Sequence, residues 1–193
     1  MKKLFFNPFE KYSEKDILIT GIIVNLIGVF LNFIFNIKTI GFLKFDFLEK
    51  ISIIQVVSQS LIIISVLAII LFVIGKIINP KTRFIDVLNT VLIAKIPFFI
   101  ISFFNINGIM FRETENLKAF ISSGKLTEIT MTKIPIVMIV SLFSILISVW
   151  VIALLYNGFK IATNAKGAKY IVFFVIGLVI TEILLRFIIS TLN

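Results

Sequence analysis

From Ile17 to the end of the chain, polar residues gather in short clusters. Between the clusters run stretches of Ile, Leu, Val and Phe. These stretches show neither the two-residue alternation of barrel strands nor the single apolar stripe of a soluble surface helix. Each is about twenty residues long, which at roughly 1.5 Å per residue spans the hydrocarbon of a bilayer. Five are predicted, at residues 17–37, 51–75, 84–104, 134–159 and 170–192. Hydrocarbon offers no water to satisfy backbone N–H and C=O groups, so long apolar runs without alternation must be helical. The expected fold class is all-α: a polytopic integral membrane protein built as a bundle of five transmembrane helices. An N-terminal interfacial segment, residues 1–16, precedes one membrane domain, residues 17–193.

Local signals set the ends of the spans. Asn79-Pro80 closes the second, since proline cannot continue a helix. Ser13 and Asp16 fit a capping box that starts the first helix just ahead of the bilayer. Leu4, Phe5, Phe6 and Phe9 among lysines read either as an anchor lying on the head groups or as a disordered tail. The Met1-Lys2-Lys3 opening resembles the start of a signal peptide, yet Asn7-Pro8 interrupts it and no small-residue cleavage site follows Ile37. The first helix is therefore expected to be retained. The one long connection, Asn105 to Lys133, contains Gly108 and Gly124 and is expected to hold a short amphipathic helix with Leu117, Phe120 and Ile121 on one side.

Composition agrees: 59% of residues are hydrophobic and the mean hydropathy is +1.12, above the roughly 45–50% apolar share of soluble domains. The chain has no Cys and no His, which removes thiolate and imidazole chemistry, disulfides and the softer metal ligands. No metal or cofactor is expected. The formal charge of +9 is spread one or two residues per loop. It forms no basic stripe, so anionic lipid head groups suit it as partner and nucleic acid does not. Lys2, Lys3, Lys11 and Lys15, then Lys76, Lys81 and Arg83, then Lys160, Lys166 and Lys169 must share one side of the membrane. The opposite loops carry Lys38, Lys44 and Lys50, and Arg112, Lys118, Lys125 and Lys133 at lower density. The positive-inside rule then predicts the N-terminus inside, the C-terminus outside and a multi-pass protein of a bacterial plasma (inner) membrane.

Three charges fall within spans: Lys95 in the third, Glu182 and Arg186 in the fifth. With both spans entering from the inside, Lys95 and Glu182 should lie about 16–18 Å deep. An isolated charge there costs about 2.5–3.5 kcal/mol or more, so pairing or a wet cavity is expected. Lys95, Glu182 and Arg186 are accordingly predicted to form one buried ionic cluster, serving either helix register or a solute or proton path. In the first span Gly21, Asn25, Gly28 and Asn32 share one helical face suited to close packing and interhelical amide bonds. Gln55, Gln59, Ser58, Ser65 and Ala68 in the second span, Ser141, Ser144 and Ser148 in the fourth, and Gly177 and Thr181 in the fifth read as further packing seams. Pro97 should kink the third span beside Lys95, either as a bend alone or freeing a carbonyl for a partner.

Catalytic constellations are scarce. Asp16, Asp46 and Asp86 fall at span ends, the glycines are dispersed, and only a Ser/Lys pair around Lys95 remains open. Four segments carry a family resemblance. They are Asn7-Pro8-Phe9-Glu10, the Gly75-to-Pro80 turn ending Asn79-Pro80, Phe84-Ile85-Asp86-Val87-Leu88 leading to Ala94-Lys95-Ile96-Pro97, and Trp150 through Gly158. Together they resemble the prokaryotic branch of the Yip family, whose eukaryotic members interact with Ypt/Rab GTPases. The resemblance implies a five-helix membrane protein without established enzymatic activity that works through protein partners, in an accessory or assembly role. Neither the Asp-Leu-Tyr-Gly-Pro signature nor the Tyr-Gly-Tyr element of eukaryotic members is present, so GTPase binding does not carry over. The expected function is thus a non-enzymatic interaction, accessory or assembly factor, with a membrane-protein partner or a second copy of itself. The competing class is a small transporter or channel subunit using a polar interior around Lys95 and Glu182.

Overall fold

A computed structural model describes residues 7–123, 134–167 and 169–191 of the chain. Its long helices are α1 (Glu14–Ile34), α2 (Ile53–Ile78), α5 (Ile134–Thr163) and α6 (Lys169–Thr191), together with a broken third span. That span consists of α3 (Phe84–Ala94) and a 3₁₀ segment (Ile96–Gly108), and runs on into α4 (Ile109–Ser123). Five helical stretches are long and apolar enough to cross a membrane. Between α1 and α2 lies a feature the hydropathy pattern did not announce, a short antiparallel hairpin of β1 (Ile37–Thr39) and β2 (Phe45–Phe47).

The third span is the centre of the molecule. Two thirds of its most apolar stretch is buried within the protein, against 17–28% for the other four, which therefore present most of their surface to lipid. α1, α2 and α5 surround it, and α6 joins the bundle chiefly by lying along α2.

α1 and α3 are joined by a polar seam. Asn89 Nδ2 donates to the Glu14 carbonyl (3.2 Å), and Asn25 Nδ2 to the Leu92 carbonyl (2.8 Å). Ser102 Oγ donates to Asn32 Oδ1 (2.6 Å), and Asn105 Nδ2 to the Phe35 carbonyl (2.7 Å). Partners stay 67–75 positions apart along the chain over all four rungs, a pattern only parallel helices give. The glycines of the same face close the gap: a Cβ at Gly21 would lie 2.8 Å from that of Leu92, and one at Gly28 would overlap the Phe99 ring. The Gly21/Asn25/Gly28/Asn32 face points inward, where all four are buried.

Caps follow the sequence with one variation. Ser13 Oγ accepts from the Asp16 amide, but Asp16 takes the Ser13 hydroxyl instead of its backbone N–H. A full capping box forms at α2, from Ser52 and Gln55. α1 ends at Asn36, which adopts the left-handed conformation (φ 53°) common just past a helix. Its carbonyl accepts from the Leu48 amide (2.9 Å) and its Oδ1 from the Ile51 amide (3.2 Å), so one residue both stops the helix and ties the hairpin base.

Two expectations change. The third span is not a single kinked helix ending at 104: the α-helix stops at Ala94, and the Lys95 carbonyl accepts from the Phe98 amide three residues on. Pro97 offers no N–H to continue the α pattern, so the chain tightens into 3₁₀. In α4 the side that faces the protein is set by Met110, Phe111 and Leu117, whereas Ile121 is exposed; Met110 packs into the core and fixes the helix rotation. The side chain of Phe120, the anchor residues Leu4, Phe5 and Phe6, and Gly124, Lys125 and Lys133 lie outside the described residues.

Replacing Gly28 by Leu should force α1 and the 3₁₀ segment apart and cost about 1–3 kcal/mol. Ile27→Leu on the exposed side of the same helix should be neutral. Thermal unfolding in detergent distinguishes the two.

Candidate functional site

Lys95 stands where α3 ends, and its side chain is directed by the break. The residue is 9% exposed. Its ammonium donates to Ser60 Oγ of α2 at 2.6 Å and lies 5.8 Å from the centroid of the Phe99 ring, within cation–π range. Among the described residues no carboxylate pairs with it.

Glu182 sits in another environment. Its Oε1 accepts from Arg186 Nε one turn along α6 (3.3 Å), and its Oε2 from the backbone amide of Phe42 at the tip of the hairpin (3.2 Å). The approach is so close that a Cβ at Gly41 would overlap the carboxylate. The predicted cluster of Lys95, Glu182 and Arg186 is therefore not formed as one unit. The hairpin supplies the reason. Its tip gives Glu182 a hydrogen-bond donor of its own, and Lys95 turns to the hydroxyl of α2.

The hairpin is held inside the bundle rather than above it. Ile37, Thr39, Phe42 and Phe47 are buried, the Thr39 amide donates to Gln59 Oε1 (3.2 Å), and Phe45 packs edge-on against Phe98 (5.4 Å). Glu182 is nine residues from the end of α6, so the tip reaches roughly 14 Å below the helix end. Non-helical backbone survives at such depth only where protein surrounds it.

Pro97 ends the α pattern, having no N–H to give the Ile93 carbonyl, and the carbonyl that α1 uses is the one before it. The Leu92 carbonyl, in the last turn before the break, accepts Asn25 Nδ2 from α1. The serine faces behave differently from the asparagines. Ser144 and Ser148 bond back to carbonyls of their own helix, as Thr181 does, and bridge nothing. Gly177 does form a seam, packed against Ile74 of α2. Ser60, Phe99 and Gly41 were not singled out by the sequence. Ser60 follows Gln59 in an apolar run, and a glycine in a loop carries no signal of what approaches it.

A second polar junction lies at the end where α1 and α3 begin. Arg83 bridges Glu14 and Asp86, and the two carboxylates raise the pKa of its guanidinium, keeping it charged. Asn79 Nδ2 donates to the Thr163 carbonyl (3.1 Å), and Thr82 Oγ1 to the Gly75 carbonyl (3.0 Å). These contacts place the N-terminal segment, the turn after α2 and the turn after α5 at one end of the bundle, as the alternation of the spans required. Pro8–Glu10 forms a 3₁₀ turn against α5, where Phe9 and Thr90 crowd Gly158.

Four apolar helices and a broken central span, five stretches long enough to cross a membrane, define a multi-pass integral membrane protein. The Yip1 domain family matches residues 2–189, and the chain belongs to that family. No curated protein and no solved structure shows a match to it. The segments that carry the resemblance are the ones that meet in the structure. Asn7 to Glu10, Gly75 to Pro80, Phe84 to Leu88 and Gly158 converge at the charged end, and Ala94 to Pro97 forms the central break.

Removing the acceptor of Lys95 by Ser60→Val should cost about 1–3 kcal/mol, while Lys95→Met should be close to neutral. A double-mutant cycle between Lys95→Met and Glu182→Gln should give a coupling below about 0.5 kcal/mol, the level for sites without shared partners. Chemical or thermal unfolding in detergent measures both.

Proposed function

We propose that this chain is a non-enzymatic accessory or assembly factor that acts on other membrane proteins, or on a second copy of itself, from within the bilayer. The observation that carries the reading is the fate of the interior polar groups. Asn32, Ser102, Asn105, Lys95, Ser60, Gln59 and Glu182 are all engaged in contacts between elements of this chain. A cavity beside Phe9 and Asn89 and another beside Tyr156 and Tyr170 open at the bundle's surface, and none of these groups lines either of them. Such an interior holds helices together, leaving the exposed apolar sides of α1, α5 and α6 for lipid and partners. The excess of Lys and Arg at the α1/α3 entry end supports the N-terminus inside. It suits a bacterial inner membrane, and the missing eukaryotic signatures support the prokaryotic branch of the family.

A transporter or channel subunit is the second reading, favoured by one feature: Lys95 has no counter-ion among the described residues. The cysteine-free sequence separates the two. In a single-cysteine Ser60→Cys variant the thiol should resist a membrane-impermeant maleimide, while Lys166→Cys at the charged end reacts. Rapid labelling at position 60 would mean water reaches Lys95, and the accessory reading would give way to transport. The same protein purified in mild detergent should bring a membrane protein, or a second copy, in fixed ratio.

A further inference from the structure

At the charged end of the bundle a cavity of about 200 Å³ opens between α1, α3 and α5, under the N-terminal 3₁₀ turn. Phe9 and Tyr12 line it with the polar Glu14, Asp86, Asn89 and Thr90, and Ile17, Ile161 and Ala162 add apolar surface. Gly158 is the floor. A Cβ there would lie 2.5 Å from the Thr90 side chain, so a larger residue has no room.

The hydrogen-bonding character of this space is one-sided. Asn89 is 4% exposed. Its Nδ2 is committed to the Glu14 carbonyl, and its Oδ1 has no partner. Thr90 has spent its hydroxyl hydrogen on the Asp86 carbonyl. Glu14 and Asp86 share one guanidinium, that of Arg83, and the three together keep a formal charge of −1. Acceptors, two carboxylates and aromatic faces thus meet in one place, and a buried acceptor without a donor is costly. The missing component is a cation rich in N–H groups. The Tyr12 ring already has the Lys11 ammonium at 5.7 Å, so it accepts this kind of charge.

We propose that this cavity binds a primary ammonium, as presented by the head group of an aminophospholipid in the leaflet at that end. About 200 Å³ equals the volume of roughly six waters, enough for an aminoethyl group. The ammonium would donate to Asn89 Oδ1 and the Glu14 and Asp86 carboxylates, with Phe9 and Tyr12 alongside. The phosphate would stay outside by Arg83, and the acyl chains would leave along Ile17, Ile161 and Ala162. A quaternary ammonium has the charge without the N–H donors and would leave the acceptors unsatisfied.

The test uses the full chain in detergent micelles, titrated with short-chain phosphatidylethanolamine, phosphatidylcholine, free ethanolamine and Mg²⁺, and read by native mass spectrometry and thermal stability. Phosphatidylethanolamine should bind at least about tenfold more tightly than phosphatidylcholine, the scale of one charge-assisted hydrogen bond. Tyr12→Ala, at an exposed position, should reduce that preference while unfolding at unchanged temperature without lipid, and Glu14→Gln, which also loses its ion pair with Arg83, should reduce it by more than its change in lipid-free stability accounts for. Free ethanolamine binding as tightly as the lipid, with the same two variants weakening it, would keep the ammonium assignment and make the source soluble. Equal binding of the two lipids, no binding, a preference untouched by both variants, or stabilisation by Mg²⁺ alone would overturn the proposal.

Discussion

Inside a bilayer polar groups must look for partners within the protein, and the α1–α3 seam is where this chain gathers most of its hydrogen bonds between helices. Lipid tails are as apolar as leucine, so burying leucine does not drive helices together there. Close approach and hydrogen bonds do. Gly21 and Gly28 permit the approach, and Asn25, Asn32, Ser102 and Asn105 supply the bonds. Because the seam joins parallel helices, α2 must pass back between them outside the contact. The hairpin that begins this return is drawn in against the seam's far end through Asn36. The placement of α5 and α6 follows, since α5 covers the open side of α3 and α6 has only α2 to lie along.

Lys95 and Glu182 show how a charge near mid-depth is accommodated without the obvious opposite charge. The amine uses a hydroxyl and an aromatic face; the carboxylate uses a guanidinium on its own helix and a backbone amide. Pairing them would have satisfied each charge once, but it would have left the Phe42 amide buried without that acceptor. The arrangement adopted serves the hairpin as well, and so the two charges are held by different parts of the fold.

Helix number and the inward asparagine–glycine face were legible in the sequence because hydropathy and a 3.6-residue period report them directly. Ser13, Asn79-Pro80 and Pro97 gave usable stop and start signals for the same reason. The pairing of Lys95 was not legible, because depth along a helix says nothing of rotation or of what a loop inserts between two helices. The hairpin was hidden for a related cause. Ile37 to Phe47 has alternating apolar and charged residues, yet with Lys38, Lys44 and Asp46 among them it reads as an ordinary solvated loop. Ser60 differs from Ser58 and Ser65 only in the direction it faces.

The hairpin also sets an order of events. A ribosome delivers Phe42 long before Glu182, and the acceptor for its amide arrives only with the closing helix. Until then the tip of the first loop has nothing but water or α2 to turn to, and it cannot settle between helices. The helix that carries Glu182 is therefore the latch for a loop made much earlier, and a chain cut short before α6 would be left with that loop unseated.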